Sequence, residues 1–209
     1  MREAAAAAAG PGADVMALAT ATPDGRPSVR MVLCRAADRR GLIWYTGYAS
    51  RKGEEVAANP RAAAAFYWPA FGRQVRAEGR VERVTAAESD AYFVTRGRGS
   101  QLGSGSREPE PRERRRRRWA EPRQDGASGE AWVSPQSRPI ADRAALEAGV
   151  AAAEARFGGR AVERPPDWGG YRLIPDAIEF WESRPSRLHD RIRWALAGSG
   201  SWTAERLAP

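Results

Sequence analysis

Cysteine, histidine and lysine are each represented by a single residue in this chain of 209 residues. The lone cysteine, Cys34, cannot form a disulfide within the chain, which favours a reducing compartment. One histidine and one cysteine are also too few ligands for a transition-metal site, so no bound metal is expected.

Long apolar stretches are missing as well. No segment approaches the roughly 18 consecutive apolar residues of a membrane-spanning helix. The alanine-rich start, residues 1–10, lacks the basic and bulky apolar parts of a secretory signal. We therefore expect a cytoplasmic protein with no membrane partner.

The net charge of +8 comes almost wholly from arginine, and clustered cations can bind a nucleic-acid backbone. The densest cluster, Arg112 to Arg118, lies within residues 104–130, where eight arginines face six acids and the net charge is only +2. That segment has few side chains to bury, so its composition predicts a disordered insertion. Nucleic-acid binding is not expected, although an arginine-rich arm remains the alternative.

The length and the 42% hydrophobic content are sufficient for one domain over residues 1–209, with a flexible N-terminus at residues 1–13. A strong turn signal, Pro23-Asp24-Gly25-Arg26, separates two apolar runs and predicts a β-hairpin. Alternation and β-branched or aromatic content predict further strands. These lie at residues 42–46, 62–68, 74–84, 168–173, 177–181, 191–196 and 202–207.

Three helices are also predicted. Ser50 can cap a helix that stops at Asn59-Pro60, and Thr85 with Glu88 has capping-box spacing for a helix reaching Arg96. Residues 142–157 have apolar side chains at helical spacing. The expected fold class is therefore α+β, built on an antiparallel barrel with flanking helices. A Rossmann fold is disfavoured because no Gly-x-Gly-x-x-Gly stands between a strand and a helix.

Four short strings in sequence order resemble the pyridoxamine 5′-phosphate oxidase family. They are Arg30-Met31-Val32-Leu33, Ser50-Arg51-Lys52-Gly53, Trp132-Val133-Ser134-Pro135-Gln136-Ser137, and Glu179-Phe180-Trp181 followed by Arg187-Leu188-His189-Asp190-Arg191. The likeness runs from about Asp14 to the family-like ending Glu205-Arg206-Leu207-Ala208-Pro209. It implies a split β-barrel homodimer that holds flavin mononucleotide (FMN) in a cleft between the subunits.

The resemblance also implies which residues contact the flavin: Arg30, Tyr45, Thr46, Arg51, Lys52, Gln74, Gln136, Ser137, Trp181 and Arg191. Cationic side chains near a helix start suit the dianionic phosphate of FMN, although Arg51 and Lys52 could instead form a solvated helix face. Gln74, Gln136 and Ser137 can donate and accept neutral hydrogen bonds at the rim of a flavin ring. A glutamine in a strand is otherwise often just an exposed polar residue.

Substrate-binding positions of the family correspond to Arg35, Tyr92, Arg96, Ser100, Arg187 and His189, of which Arg187 and His189 are the catalytic candidates. Four residues apart on a predicted helix, Tyr92 and Arg96 share a face that can grip a phosphate. Alternation along a strand-like segment predicts that Arg187 and His189 point the same way, toward the substrate. The non-functional alternatives are that Tyr92 only packs in the core, that Arg96 is solvated, and that His189 has a structural role.

The family chemistry implied is oxidation of pyridoxamine or pyridoxine 5′-phosphate to pyridoxal 5′-phosphate. A hydride passes from the C4′ carbon to flavin N5, and dioxygen reoxidises the flavin with release of hydrogen peroxide. The protein needs only to align the two rings and stabilise charge.

Three departures from the family pattern affect these expectations. Arg35 stands where the family usually has a phosphate-binding lysine, and residues 104–130 separate Gly103 from Ala131. The chain is also expected to begin late relative to the family and to lack its N-terminal substrate-covering segment. Two alternatives therefore stay open. One is a flavin oxidase of the same fold acting on another aromatic substrate, as in phenazine biosynthesis, and the other is a non-catalytic flavin-binding or anion-binding protein.

Overall fold

The computed structural model describes residues 12–103, 133 and 136–209. The predicted insertion at residues 104–130 and most of the predicted N-terminal segment at residues 1–13 lie outside the described residues. Both predictions therefore stay predictions.

Nine strands and four α-helices follow one another along the described chain. The strands are β1 Val15–Ala21, β2 Pro27–Leu33, β3 Ala36–Asp38, β4 Gly41–Gly47, β5 Arg61–Trp68, β6 Arg73–Arg83, β7 Trp168–Glu182, β8 Asp190–Leu196 and β9 Trp202–Arg206. The helices are α1 Arg51–Ala58, α2 Ala86–Val94, α3 Arg98–Leu102 and α4 Arg143–Phe157, with 3₁₀ turns at Pro69–Phe71 and Pro185–Arg187.

All nine strands belong to one sheet, in the order β2-β1-β5-β6-β7-β4-β3, and β8 and β9 extend it from β7. The pairs β1·β2, β1·β5, β5·β6, β6·β7, β7·β8 and β8·β9 are all antiparallel. The predicted hairpin at Pro23–Arg26 is confirmed by the pairing of β1 with β2.

The chain divides into two compact units. The sheet unit contains the described residues up to Tyr45 together with Glu55–Val84 and Gly170–Pro209. The helical unit contains Thr46–Glu54 and the described residues of Thr85–Gly169.

The register of the sheet unit defines an inner face, where the core lies. Leu18 is opposite Ala64, and Ala64 is opposite Ala77, and all three are buried. Directly opposed side chains in antiparallel strands project from the same face. The core therefore lies on this side, and the residues between these positions project from the outer face.

Strand β7 is one continuous element, whereas two strands at residues 168–173 and 177–181 were predicted; this prediction was wrong. The register with β6 shifts between Glu78 and Gly79, so that Glu78 is opposite Ala177, Gly79 is opposite Pro175, and Asp176 is the extra residue of a β-bulge. A Cβ on Gly79 would lie 2.0 Å from the carbonyl oxygen of Ile174, so this close approach requires glycine. Pro175 thus sits at a bulge and does not end the strand.

The predicted helix starts are confirmed by their caps. The Ser50 hydroxyl accepts from the Gly53 amide at 3.4 Å, and Thr85 and Glu88 form the complete capping box. Asp142 accepts from the Ala145 amide at 2.8 Å at the start of α4. The short strand β3 and the short helix α3 were not predicted. None of the helices in the described part of the chain is long and apolar enough to cross a membrane.

Candidate functional site

Three of the predicted flavin-contacting residues lie side by side across three strands of the sheet unit. Gln74 of β6 is opposite Trp181 of β7, and Trp181 is opposite Arg191 of β8. Side chains alternate between the two faces along a strand. Ala77 is on the inner face and lies three positions from Gln74, so Gln74 and the two residues opposite it project from the outer face. We call this line of three residues the Trp181 row.

Arg191 is fixed at the end of the Trp181 row by a carboxylate that was not among the predicted site residues. Its Nε and Nη2 atoms donate to the two carboxylate oxygens of Glu179, at 3.0 and 3.2 Å. Its Nη1 atom donates to the carbonyl oxygen of Ala208 at 2.9 Å. Hydrogen bonding to Glu179 raises the pKa of Arg191 above its ordinary value. This bidentate pair holds the guanidinium plane in one orientation.

Glu179 belongs to the next row of the sheet, opposite Arg76 and Arg193. Its side chain is only 9% exposed, and Arg76 Nη1 lies 3.6 Å from its Oε2 atom. A cavity of about 270 Å³ opens here, lined by Arg76, Glu78, Ala177, Glu179, Arg191, Arg193 and Leu207. The cavity lies beside Arg191, and its charged groups are of both signs.

Arg30 lies on the inner face and is held by a buried carboxylate too. Its Nη1 atom donates to the Leu18 carbonyl and the Thr20 hydroxyl, at 3.2 and 2.6 Å. Its Nη2 atom donates to the Ser28 hydroxyl and to Glu55 Oε2, at 2.5 and 3.2 Å. These bonds use the four terminal N–H groups, which leaves Nε–H for a ligand.

In the helical unit, the single lysine is buried against hydroxyl groups. Lys52 Nζ donates to the Thr46 and Ser50 hydroxyls, at 2.9 and 3.3 Å. Thr46 in turn donates to Gln136 Oε1 at 2.9 Å, and the Gly47 amide donates to the same oxygen at 3.2 Å. The fold therefore brings Thr46, Lys52 and Gln136 together, although Thr46 and Gln136 are 90 positions apart in the sequence.

The neighbours of this cluster are placed differently. Arg51 is exposed on the first turn of α1. Ser137 is exposed and has a φ of 69°, a left-handed backbone that is uncommon for serine. Arg138 next to it donates to the Ala49 carbonyl at 3.1 Å and forms an ion pair with Glu54. This pair joins the Gln136 segment to the start of α1.

Tyr92 and Arg96 meet on one aromatic ring of the helical unit. The Tyr92 ring stacks on Trp168 with centroids 6.2 Å apart, and the Arg96 guanidinium lies 4.7 Å from the Trp168 centroid. The structure ends α2 at Val94, so Arg96 lies beyond the helix that was predicted to carry it. Ser100 is exposed on α3. Tyr92 and Arg96 are therefore brought together by their common contact with Trp168, and not by a shared face of one helix.

Arg187 and His189 do not alternate along a strand, and that part of the prediction was wrong. Pro185–Arg187 is a 3₁₀ turn in which Ser186 and Arg187 have φ values of 57° and 62°, and β8 begins only at Asp190. His189 follows this turn, and the centroid of its ring lies 4.7 Å from that of the Trp181 ring. Arg187 is exposed. The substrate candidate His189 thus touches the Trp181 row.

Two remaining candidates lie elsewhere in the sheet unit. Arg35 forms an exposed ion pair with Asp14 at 3.0 Å, just after β2. The Tyr45 ring lies so close to Gly170 that a Cβ there would be 2.8 Å from Tyr45 Cε1. Gly170 therefore lets Tyr45 lie directly against the backbone of β7.

Comparisons with known proteins identify the family of this chain. Residues 3–157 match the family model described as pyridoxamine 5′-phosphate oxidase, and residues 168–209 match the pyridoxine 5′-phosphate oxidase C-terminal dimerisation region. The pyridoxine/pyridoxamine 5′-phosphate oxidase of Pseudomonas entomophila (strain L48) is 49% identical over 197 residues, which cover 94% of this chain and 79% of that protein. The one of Ralstonia pickettii (strain 12J) is 48% identical over 196 residues, with the same coverage. The chain belongs to the pyridoxamine 5′-phosphate oxidase family.

Solved structures support the fold of this family. PhzG from Burkholderia lata 383, in complex with tetrahydrophenazine-1-carboxylic acid, is 32% identical with a TM-score of 0.77, covering 94% of this chain and 83% of that one. A pyridoxamine 5′-phosphate oxidase-related, FMN-binding protein from Nostoc punctiforme is 19% identical with a TM-score of 0.66, covering 95% and 90%. The predicted antiparallel split β-barrel with flanking helices is confirmed.

Within this member of the pyridoxamine 5′-phosphate oxidase family, sequence reasoning missed three residues that hold candidate site residues. Glu179 holds Arg191, Glu55 holds Arg30, and Trp168 carries Tyr92 and Arg96. Glu179 could have been suspected, since it precedes Trp181 by two positions on a strand and so shares its face. Glu55 and Trp168 carry no such signal, because their partners are distant in sequence.

Proposed function

We propose that this chain is an FMN-dependent oxidase that converts pyridoxamine or pyridoxine 5′-phosphate to pyridoxal 5′-phosphate, with dioxygen reduced to hydrogen peroxide. It would work in the cytoplasm as a homodimer. The family membership and the curated relatives at 48–49% identity support this proposal.

One observation carries the proposal most directly. The ring centroids of His189 and Trp181 are 4.7 Å apart, so a substrate candidate and a flavin candidate are neighbours within the sheet unit. Hydride transfer requires the substrate carbon and the flavin ring to lie within about 3 to 3.5 Å. Neighbouring substrate-binding and flavin-binding residues would be needed to stack the substrate ring on the flavin ring.

The residues present suit a phosphorylated aromatic cofactor. The Trp181 row offers an aromatic ring, an amide and a fixed cation on one face. In the helical unit, the buried Lys52 ammonium near the start of α1 can donate to phosphate oxygens. Thr46 and Gln136 would add neutral hydrogen bonds, and Arg30 would offer its Nε–H. When bound, FMN would supply the redox chemistry by accepting a hydride from C4′ and passing the electrons to dioxygen.

The substrate phosphate would be held by Tyr92 and Arg96. Both contact Trp168, and the guanidinium over its ring gains cation–π stabilisation that limits the directions in which Arg96 can point. Ser100 on α3 would add a hydroxyl. Arg187 would place a second cation against the ring of the substrate.

Exposed apolar side chains support the homodimer. Phe180 and Ile192 are opposite each other, as are Leu196 and Trp202, and Trp194 projects from the same face. Each is between 37% and 49% exposed, and all lie within the region that matches the dimerisation model. An apolar surface of this kind is typical of a subunit contact.

A second candidate function is supported by one specific likeness. PhzG, whose structure holds tetrahydrophenazine-1-carboxylic acid, matches 94% of this chain with a TM-score of 0.77. Arg35 also differs from the family lysine and is engaged by Asp14. An oxidase acting on a carboxylated, non-phosphorylated aromatic substrate would fit both observations.

One experiment separates these functions. The purified protein is tested for a flavin spectrum and for peroxide release with pyridoxamine 5′-phosphate, with pyridoxamine, and with tetrahydrophenazine-1-carboxylic acid. Peroxide from the phosphorylated vitamer alone supports the proposal, while peroxide from the phenazine compound alone supports the second candidate. A protein that binds no flavin contradicts both.

The cofactor assignment has its own test. Lys52→Ala should weaken FMN binding by about tenfold to a hundredfold, because a charge-assisted hydrogen bond to phosphate is lost. The exposed Arg143→Ala on α4 serves as the control and should bind FMN like the wild type. Circular dichroism checks that both variants are folded. A folded Lys52→Ala protein with unchanged FMN affinity would remove Lys52 from the site.

A further inference from the structure

The residue that follows the flavin candidates Gln136 and Ser137 is held against the start of α1. Arg138 Nη2 donates to the Ala49 carbonyl at 3.1 Å and forms an ion pair with Glu54. The side chains of Arg138 and Glu54 are only 21% and 18% exposed, so water and salt screen this pair less than a fully exposed one. Such a pair can fix a segment that belongs to no helix or strand, as residues 136–138 do not.

Ser137 is anchored on both sides. On one side, Gln136 Oε1 accepts from the Thr46 hydroxyl at 2.9 Å and from the Gly47 amide at 3.2 Å. On the other side stands Arg138 with its ion pair. Between them Ser137 has a φ of 69°, a conformation that persists in a residue other than glycine only where its surroundings hold it. The two anchors therefore act together on one strained residue.

Glu54 is the partner that balances the charge of Arg138. The Nη2 atom of Arg138 makes the contacts with both Ala49 and Glu54, and its buried Nε atom has no hydrogen-bond acceptor among the described residues. Of these two contacts, only the one with Glu54 brings an opposite charge. Removing either side chain of the pair leaves the other as a partly buried charge without compensation, which favours movement of the segment toward water.

We propose that Arg138 and Glu54 are positioning residues of the flavin site, whose ion pair clamps residues 136–138 to the start of α1 and so orients Gln136 and Ser137 before the cofactor binds. We call this ion pair the Arg138 clamp. It acts through Gln136 and Ser137 and not by direct contact with the cofactor, so its flavin part rests on the proposed function. A preorganised site binds its ligand more tightly, because fewer groups must be ordered when the ligand arrives.

A direct electrostatic role for the two residues has a different signature. An arginine near the FMN phosphate would strengthen binding by attraction, and a glutamate there would weaken it by repulsion. Removing the two charges one at a time would then change FMN affinity in opposite directions. Loss of the Arg138 clamp changes it in the same direction, because either substitution breaks the same ion pair.

Titration of the flavin-free protein with FMN tests this difference. Arg138→Ala and Glu54→Ala should each weaken FMN binding by about threefold to tenfold, the range for loss of one neutral hydrogen bond. The double variant should bind no more weakly than the more affected single variant, since both substitutions remove one interaction. Arg143→Ala is the matched control in the same unit, because it breaks an exposed ion pair with Glu147, and it should bind FMN like the wild type.

Hydrogen exchange tests the Arg138 clamp without any flavin. The Gly47 amide donates to Gln136, so it should exchange faster in both alanine variants, where the segment is released. Thr46-Gly47 is the only Thr-Gly pair in the sequence, so ¹³C at the threonine carbonyl and ¹⁵N in glycine isolate its NMR signal. The Gly158 amide, which is hydrogen-bonded at the end of α4, is the reference and should exchange at the wild-type rate.

The outcomes separate failure of this proposal from failure of the proposed function. Opposite changes of FMN affinity in the two single variants, or wild-type Gly47 exchange in both, would overturn the Arg138 clamp. Faster exchange with wild-type FMN affinity would overturn its flavin part. A wild-type protein that binds no FMN contradicts the proposed function alone, and the exchange rates still decide the clamp. Circular dichroism checks folding, and Glu54→Gln, which keeps the shape of the side chain, should change both readouts in the same direction if an alanine variant does not fold.

Discussion

The Trp181 row and the Pro185–Arg187 turn lie close together in sequence but are built in different ways. The row depends on strand register, which places Gln74, Trp181 and Arg191 on one face through a period of two. The turn depends on two left-handed residues and a side-chain hydrogen bond to a backbone amide. The Trp181 row can therefore be expected from the alternation of side chains along strands, whereas the conformation of the turn cannot be read from any sequence period. We expect the row to serve the flavin and the turn to serve the substrate.

The strongest test of this division is Arg191→Ala in the row. It should weaken FMN binding by about a hundredfold, since a charge-assisted contact is lost and the buried Glu179 loses its bidentate partner. Titration of the flavin-free protein with FMN measures the change. Arg193→Ala is a matched control on the same strand and face, and it should bind FMN normally. If Arg191→Ala binds FMN normally but loses turnover, the division is reversed.

The matching change in the turn is Arg187→Ala. We expect kcat/KM for pyridoxamine 5′-phosphate to fall by about tenfold to a hundredfold, because one charge-assisted contact with the substrate is lost. Flavin occupancy should stay at the wild-type level, since Arg187 is outside the row. Steady-state peroxide assays and the visible spectrum measure the two effects. Lost flavin with unchanged turnover per bound FMN would move Arg187 to the cofactor.

A smaller effect should come from the backbone of the turn. Ser186→Gly should raise the free energy of unfolding by up to about 1 kcal/mol, because glycine adopts a φ of 57° without strain. Ser186→Val should lower it by about 1 to 2 kcal/mol, since a β-branched residue fits that backbone poorly. Urea unfolding measures both. Ser199→Gly, at a position without positive φ, is the control and should not stabilise.

The smallest effect concerns Asp190, which joins the turn to β8. Hydrogen bonds from Arg184 and Arg206 lower the pKa of Asp190 below its ordinary value. Its stabilising contribution is therefore full above the unfolded pKa of about 3.9 and is lost as the pH falls through the lower folded pKa. Unfolding of the wild type and of Asp190→Asn should differ slightly at neutral pH and converge in acid. A difference that grows in acid would contradict this assignment.

The parts of the fold that sequence could predict are those with local signals. The caps at Ser50, Thr85 and Asp142 and the first hairpin follow from side chains next to the elements that they begin or end. The antiparallel barrel followed from many short alternating strands. The bulge in β7 could not be predicted, because Pro175 between two apolar runs also fits a strand break.

For the candidate site, the sequence suggested residues that stay predictions, and it did not suggest the contacts that orient them. The pairing of Arg30 with Glu55 links residues 25 positions apart, and that of Tyr92 with Trp168 joins a helix to the start of β7. Such contacts depend on tertiary packing, which a local pattern does not contain. For Arg187 and His189 the pattern indicated a strand, because hydrogen bonds that close a turn leave no period in the sequence.

Asp176, the extra residue of the β-bulge, limits how the gene for this protein can change. Before the bulge, Tyr171 and Leu173 are buried at odd positions opposite the inner face of β6, while after it Glu179 and Trp181, also odd, are outward. Loss of this single codon would turn Glu179 and Trp181 inward, since a shift of one residue exchanges the two faces of a strand. A point mutation there alters one side chain, whereas a one-codon deletion would dismantle the row. We therefore expect drift at this site to change the amino acid but to conserve the length.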